Sequence, residues 1–436
     1  MKKLLFWWSK LKSTFWFVPV WIIILGIALP FWLVYLDSMQ AVDPKGAWKY
    51  LFPGSPDAAK NILSTIAGAM IGVAGTVFSI TLVALTLASN QFGPRLIKNF
   101  MYDRINQTVL GTYVSLFIYC LIVLNTVKDT DEFEFTPVIS VFFALVMTLA
   151  NIVLLIVFIH HVANSIQADN IIGKISKNLS QNLKTLFPEE IGEAADSNFD
   201  LEKIRSNYSY NLSLKSDKEG YLQYVDGDRL MEEVLEKDLY LELYFRPGDY
   251  VFPGKEMGKL YSYSKLKEEE LKTIQKSFLT GKTRTSEQDA EHAIHQMVEI
   301  AARALSPGVN DPYTAIACID NLSNTIAYLT TVKFPSPYRL GKDNRLRIYA
   351  NPLTFEGMMG AAFNAIRQYA KGNPPVIIHL MAAMATLSDF TEDKQQKQII
   401  NKHAKMILNL AKTSIDEESD LQDLQKRYDA INGLKK

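Results

Sequence analysis

The sequence predicts an α-helical membrane domain of four transmembrane helices, followed by a cytoplasmic α+β region. That region is read as a small β half-barrel-like domain and then a mainly helical domain. Three observations predict this. Charge-free apolar runs crowd the first 165 residues, a period of two appears after about residue 205, and a helical period returns near residue 264. The averages, 48% hydrophobic and 21% charged, would suit a soluble protein and conceal an apolar front joined to a charged remainder. With 436 residues the chain can hold more than one core. Its 46 basic and 46 acidic residues cancel, so charge gives no reason to expect a nucleic acid partner. Cys120 lies in an apolar run and Cys318 in the charged half, and no disulfide between them is expected.

The apolar runs cover 16–36, 62–89, 107–127 and 138–160. Each has the roughly 20 residues that cross ~30 Å of hydrocarbon. Lys2, Lys3, Lys10 and Lys12 precede the first run, Arg95, Lys98 and Arg104 follow the second, and Lys174, Lys177 and Lys184 follow the fourth. The loop between the third and fourth, KDTDEFEFT, is acidic. The loop between the first two carries three lysines, which weakens the asymmetry without reversing it. The positive-inside rule then predicts a multi-pass protein of the cytoplasmic (inner) membrane with both termini in the cytoplasm. Lipid is the partner these runs require.

Residues 1–165 are read as the transmembrane domain and 166–204 as a helix with an acidic linker. SYNLSLK, GYLQYVD and DLYLELYFRPGDYVFPGKEMGKLY alternate in polarity, so 205–262 is read as the small β domain, with Gly248 and Gly254 at turns. Residues 263–436 are read as helical, beginning with KLKEEELKTIQKSFL and SEQDAEHAIHQMVEIAARAL, the latter capped by Ser286. Asp311 before Pro312 is a cap followed by proline at the first helical position.

The second apolar run carries a stripe. Thr65, Gly72, Ser79 and Thr86 recur every seventh residue, and Gly68, Gly75 and Ser89 follow the interleaved row, broken by Leu82. Such spacings share one helix face. The stripe is either a seam for close helix packing, as GxxxG patterns are, or a wall facing a water-filled path shared between subunits. The apolar runs hold no ionisable residue near their middles, which argues against a proton-coupled transporter.

Two strings are specific enough to indicate kinship. SITLVALTLASNQFGPRLIKNFMYDR (79–104) and QDAEHAIHQMVEIAARALSPGVNDPYTA (288–315) resemble the bacterial predicted-membrane-protein family known as domain of unknown function 2254. RPGDYVFPG and PLTFEGMMGAAFNAIRQYA (352–370) match it too, and the chain departs from it at His292 and His295. The resemblance implies four N-terminal spans and a soluble C-terminal domain; it carries no catalytic role to transfer.

Further candidate sites lie in the charged half. SPGVNDP, with Arg303, Ser306, Gly308, Asn310 and Asp311, is either an anion site at a helix N-terminus or a helix-cap corner in which Asp311 fills that position itself. His292, His295 and Glu299 share a face but lack the compact four-ligand set that zinc takes, so no metal is assigned. Lys333, Arg339, Lys342, Arg345 and Arg347 form a basic run that suits either anionic lipid or a solvated loop. There is no Walker loop, dinucleotide fingerprint, GxSxG or HExxH, and neither enzyme activity nor a cofactor is predicted. Two functional readings stand: a homo-oligomeric channel or passive transport protein for an ion or small solute, and a membrane-anchored sensor or scaffold.

Overall fold

Each apolar run forms a helix in the computed structural model, which describes residues 14–39, 53, 55–93, 103–130, 133–186, 193–195, 199–285 and 288–433. The basic residues at 2, 3, 10, 12, 95 and 98 and the expected Ser286 cap lie outside the described residues. The chain divides into two compact units, Met1–Asn170 and Ile171–Lys436.

The first unit contains α1 (Phe17–Met39), α2 (Pro56–Phe92), α3 (Arg104–Thr126) and α4 (Val138–Ser165), all long and apolar enough to cross a membrane. A two-stranded hairpin, β1 (Lys128–Thr130) and β2 (Phe133–Phe135), joins α3 to α4. Helix α2 has 37 residues. At ~1.5 Å per residue that is about 55 Å, well beyond a bilayer core. Ser55 caps it, its Oγ accepting from Ala58 N at 3.2 Å, and Pro56 follows at the first helical position.

Helix α3 is the most buried of the four and packs against the other three. Its approach to α1 is close because of two glycines, one on each helix. A Cβ on Gly26 would lie 2.0 Å from Ser115 Oγ, and one on Gly111 would lie 3.0 Å from Pro19 Cα. Ser115 Oγ also donates to the Ile22 carbonyl at 3.1 Å. Tyr113 and Tyr119 on α3 are buried and donate to the carbonyls of Asn151 (2.6 Å) and Ser140 (2.9 Å) on α4. These bonds matter because apolar side chains gain little by associating within lipid, where packing and polar contacts hold helices together.

Helix α4 has no side-chain cap of its own. Asp37, at the end of α1, supplies one. Its Oδ1 accepts from Ile139 N (2.8 Å), and its Oδ2 accepts from Ser140 N (3.0 Å) and Ser140 Oγ (2.6 Å).

The second unit is mixed α+β with small sheets. Helix α5 (Ala168–Leu186) is separate from α4 and buries Ile171, Ile172, Ile175 and Leu179 on one face. Next come β3 (Glu193–Ala194), α6 (Leu201–Ser206), β4 (Tyr210–Lys215), β5 (Gly220–Val225), α7 (Gly227–Glu236), β6 (Tyr240–Leu243), β7 (Tyr250–Val251) and β8 (Glu256–Ser262). After them run α8 (Glu268–Gln275), β9 (Phe278–Gly281), α9 (Ala290–Ala304), α10 (Pro312–Thr331), β10 (Tyr338–Leu340) and β11 (Leu346–Ala350). Four helices close the chain: α11 (Phe355–Tyr369), α12 (Pro374–Phe390), α13 (Lys394–Lys412) and α14 (Glu418–Ile431).

The strands form a six-stranded sheet of order β3-β10-β11-β6-β8-β4 and a three-stranded sheet of order β7-β5-β9. Among the described residues the six-stranded sheet has β3 and β4 at its edges, and this pairing does not confirm the half-barrel-like expectation. Its one parallel pair among the described residues, β6 with β11, brings residues near 240 beside residues near 350. Strand content is therefore not confined to 205–262. The 333–352 segment, read as basic and proline-punctuated, supplies β10 and β11, because Leu346, Ile348 and Ala350 are buried on the sheet while its prolines stay outside the strands. The expected helix over KLKEEELKTIQKSFL stops at Gln275, and Phe278 starts a strand beside β5.

Candidate functional site

The α2 stripe points away from the packed interior of its own unit. Thr65, Gly68, Gly72, Gly75, Ser79 and Thr86 are exposed and Ser89 is half-buried, whereas Leu63, Ala67, Met70, Ala74 and Val77 on the opposite face are buried. No atom outside the helix comes within 4 Å of a Cβ placed on Gly68, Gly72 or Gly75. Within one protomer the close-packing seam is therefore Gly26 and Gly111, not this stripe. The stripe hydroxyls bond back to their own helix, Ser79 Oγ to the Gly75 carbonyl (2.9 Å) and Thr86 Oγ1 to the Leu82 carbonyl (2.9 Å). A hydroxyl so satisfied tolerates an apolar surrounding.

The SPGVNDP corner is closed by its own atoms. Asp311 Oδ1 accepts from Thr314 N (3.1 Å) and its Oδ2 from Thr314 Oγ1 (2.6 Å). Asn310 adopts φ 50°, the left-handed conformation that lets the chain reverse, and Asp311 N donates to the Ala304 carbonyl at 2.8 Å. Ser306 Oγ donates to the Arg303 carbonyl at 2.7 Å, and Gly308 is exposed. Asp311 thus occupies the position an anion would take. Replacing Asp311 by alanine is expected to cost about 0.5–2 kcal/mol, read as a lower melting temperature of the full chain. Asp311→Asn keeps an accepting oxygen and should stay near wild type; equal losses for both variants would refute the capping role.

Three of the strings that carry the family resemblance converge at the start of α9. Arg246, from RPGD, reaches Glu291, from QDAE, at 2.5 Å and the Pro352 carbonyl, from PLTF, at 3.3 Å. Asp249 Oδ2 accepts from Arg246 N at 2.9 Å. Arg284 grips Asp289 through two bonds of 2.5 and 2.7 Å. Gly248, at φ 101°, is required between them, since a Cβ there would sit 2.5 Å from Asp289 Oδ2. Gln288 brackets β5, accepting from Val225 N (2.8 Å) and donating to the Val225 carbonyl (3.1 Å). Burial opposes the charge on Glu291, but its contact with His295 and the charges of Arg246, His295 and Arg284 outweigh that and hold the carboxyl below its usual range. Burial likewise opposes the charge on Arg284, and Asp289 reverses the effect. The junction clamps α9 to the sheet, and its described residues present no nucleophile–base pair.

The other candidates resolve differently. His295 contacts Glu291 at 3.6 Å, one turn before it. Among the described residues, no three or more His, Cys, Asp and Glu residues are grouped to hold a metal. The basic run divides: Lys342 and Arg345 are exposed, but Arg339 and Arg347 are buried. Arg347 meets Asp238 (2.6 Å), Asp343 (2.5 Å) and the Leu239 carbonyl (3.2 Å), so it is a structural cation and not a lipid contact. Leu346, Arg347 and Ile348 are buried in succession, so both faces of β11 are covered, which a sequence rich in charge disguises.

Glu242 is a buried carboxylate that escaped sequence reasoning. Glu242 on β6 is 2% exposed and accepts from Arg205 Nε (2.7 Å), Arg205 Nη2 (3.2 Å) and Tyr240 Oη (3.0 Å). Arg205 lies on α6, so this pair ties the segment before β4 down onto the sheet, over Tyr240, Tyr261 and Leu346. The only signal for it was a glutamate in the otherwise apolar YLEL.

Comparison with known proteins agrees with the architecture. Uncharacterised proteins of Mycobacterium bovis and Mycobacterium tuberculosis are each 28% identical over 421 residues, covering 94% of this chain and 78% of theirs. No solved structure matches. A family model described as a predicted membrane protein of unknown function matches residues 12–386, and the chain therefore belongs to that family, domain of unknown function 2254.

Proposed function

We propose that the protein is a homo-oligomer of the cytoplasmic membrane in which the small-polar face of α2 lines or gates a path for an ion or small solute. Residues 171–436 form its cytoplasmic regulatory region, and both termini lie in the cytoplasm. The observation that carries this reading is the outward direction of the stripe. A face of Gly, Ser and Thr with open space over three glycines suits a neighbour from outside the protomer. It runs from Thr65 to Ser89, about 36 Å at ~1.5 Å per residue, the depth of a bilayer core. A second reading, an anchored sensor or scaffold, is favoured by the hydroxyls that satisfy themselves within α2 and so can face lipid.

Accessibility separates the two. With a path, cysteine at Ser79 reacts with water-soluble thiol reagents, and Ser79→Leu blocks flux in liposomes. With a lipid-facing anchor, cysteine at 79 stays unreactive and the liposomes conduct nothing, which would end the channel reading. Orientation has its own test. Cysteine at the exposed Glu134 is expected to react with an impermeant thiol reagent in intact cells, and cysteine at the exposed Asp217 is not. Both native cysteines are buried, so the background is low. The reverse pattern would overturn the orientation.

A further inference from the structure

A small cavity lies among α2, α3 and α4. It is lined by Thr81, Ala84, Leu85, Asn106, Val162, Ser165 and Ile166, and its volume of ≈ 10 Å³ has room for one water-sized occupant. Asn106 is 8% exposed, and its Oδ1 is buried without accepting a hydrogen bond from any protein group. A buried acceptor left so is costly and calls for an electron-poor partner.

The surroundings favour positive charge. Val162 and Ser165 belong to the last turn of α4, where carbonyls lack helical donors and the helix dipole is negative. Ile166 gives its N–H to the Asn164 carbonyl, as does Gln167, so neither continues the helix back to Val162 or Ala163. No basic residue occupies that turn to answer the dipole. Thr81 Oγ1 spends its hydrogen on the Val77 carbonyl at 2.8 Å and keeps its lone pairs. Outside the lining, Asp103 caps α3 through Ile105 N at 3.0 Å and so meets that helix's positive end. Asp103 and Ser165 both engage the same nitrogen of His161, at 2.8 and 3.3 Å. A nucleophile relay would need the two ring nitrogens, so this is not a hydrolytic triad.

We propose that the cavity is a binding site for a small monovalent cation of about sodium's size. Its ligands are Asn106 Oδ1, the Thr81 and Ser165 hydroxyls, and carbonyls of the last turn of α4. Neutral oxygens and the absence of a carboxylate among the described lining residues disfavour a divalent ion, which recruits charged ligands. The site goes beyond the path reading, because it can hold an ion whether or not α2 conducts one.

The test is thermal unfolding of the full chain in detergent, in sodium, potassium and N-methylglucamine chlorides at equal ionic strength, with no gradient and no flux. Sodium is expected to raise the melting temperature saturably over N-methylglucamine, with potassium weaker, as ligand linkage requires. Asn106→Leu should abolish the difference. Should that variant fail to fold, Thr81→Val and Ser165→Ala, which each remove one oxygen, should raise the half-saturating sodium concentration about tenfold, the equivalent of one polar contact. One melting temperature in all three salts would mean that the cavity holds water only and would overturn the proposal. A sodium response unchanged in both Asn106→Leu and Thr81→Val would overturn it as well.

Discussion

Replacing Asp37 by alanine is expected to destabilise the membrane unit by about 3 kcal/mol, taking roughly 1 kcal/mol for each of three buried charge-assisted bonds. The carboxylate accepts from two backbone N–H groups of α4 and from Ser140 Oγ, and it is 9% exposed. Without it those donors face an apolar interior, and α4, which has no side-chain cap of its own, loses its N-terminal partner. The loss reaches further than one helix end. Tyr119 donates to the Ser140 carbonyl, so displacement of Ser140 also loosens α3. Asp37→Asn keeps accepting oxygen and is expected to lose about half as much. The measurement is denaturation of the full chain in mixed micelles, followed through the Trp16, Trp21 and Trp32 region of α1. Unchanged unfolding in Asp37→Ala would show that the cap is replaceable by water.

Asp37 also shows where the sequence stops being legible. Charge counting placed the end of the first span at residue 36, just before it, and so treated it as a loop residue. Its role depends on a helix 102 residues away, which no local pattern contains. The spans themselves were legible because hydrocarbon imposes length and polarity directly on sequence. The same held for the Asp311 cap, where signal and partner lie within three residues. The β region was half legible. Period-two runs exposed β4, β5, β6 and β8, but the parallel pairing of β6 with β11 spans more than 100 residues and could not be read locally. The stripe illustrates a different limit. Periodicity fixes which residues share a face, and only packing decides which way the face points; here the buried side of α2 is the row of Leu63, Ala67, Met70, Ala74 and Val77. Gly26 and Gly111, which do bring helices together, lie on separate helices and formed no pattern in either.

Acid is expected to weaken the second unit through His403. The imidazole is 3% exposed on α13, and burial, reinforced by the charges of Arg367 and Lys402 against that of Glu356, pushes its pKa down to about 4. In the unfolded chain an unperturbed histidine titrates near 6.5. The folded form therefore keeps His403 neutral in a range where the unfolded form takes a proton. Stability is complete above about pH 6.5, falls as pH drops below it, and levels off near pH 4, where the folded form also takes its proton. At 1.36 kcal/mol per pH unit the full loss is about 3 kcal/mol. Other carboxylates contribute below about pH 5, so the window between pH 6.5 and 5 isolates the histidine, with a loss there of about 2 kcal/mol. His403→Gln removes the titration and is expected to flatten the melting temperature of the full chain across that window. Arg367 supplies the control, since Arg367→Gln removes a repelling charge and should lessen the acid loss without abolishing it. A slope between pH 6.5 and 5 that survives unchanged in His403→Gln would place the acid sensitivity in another residue.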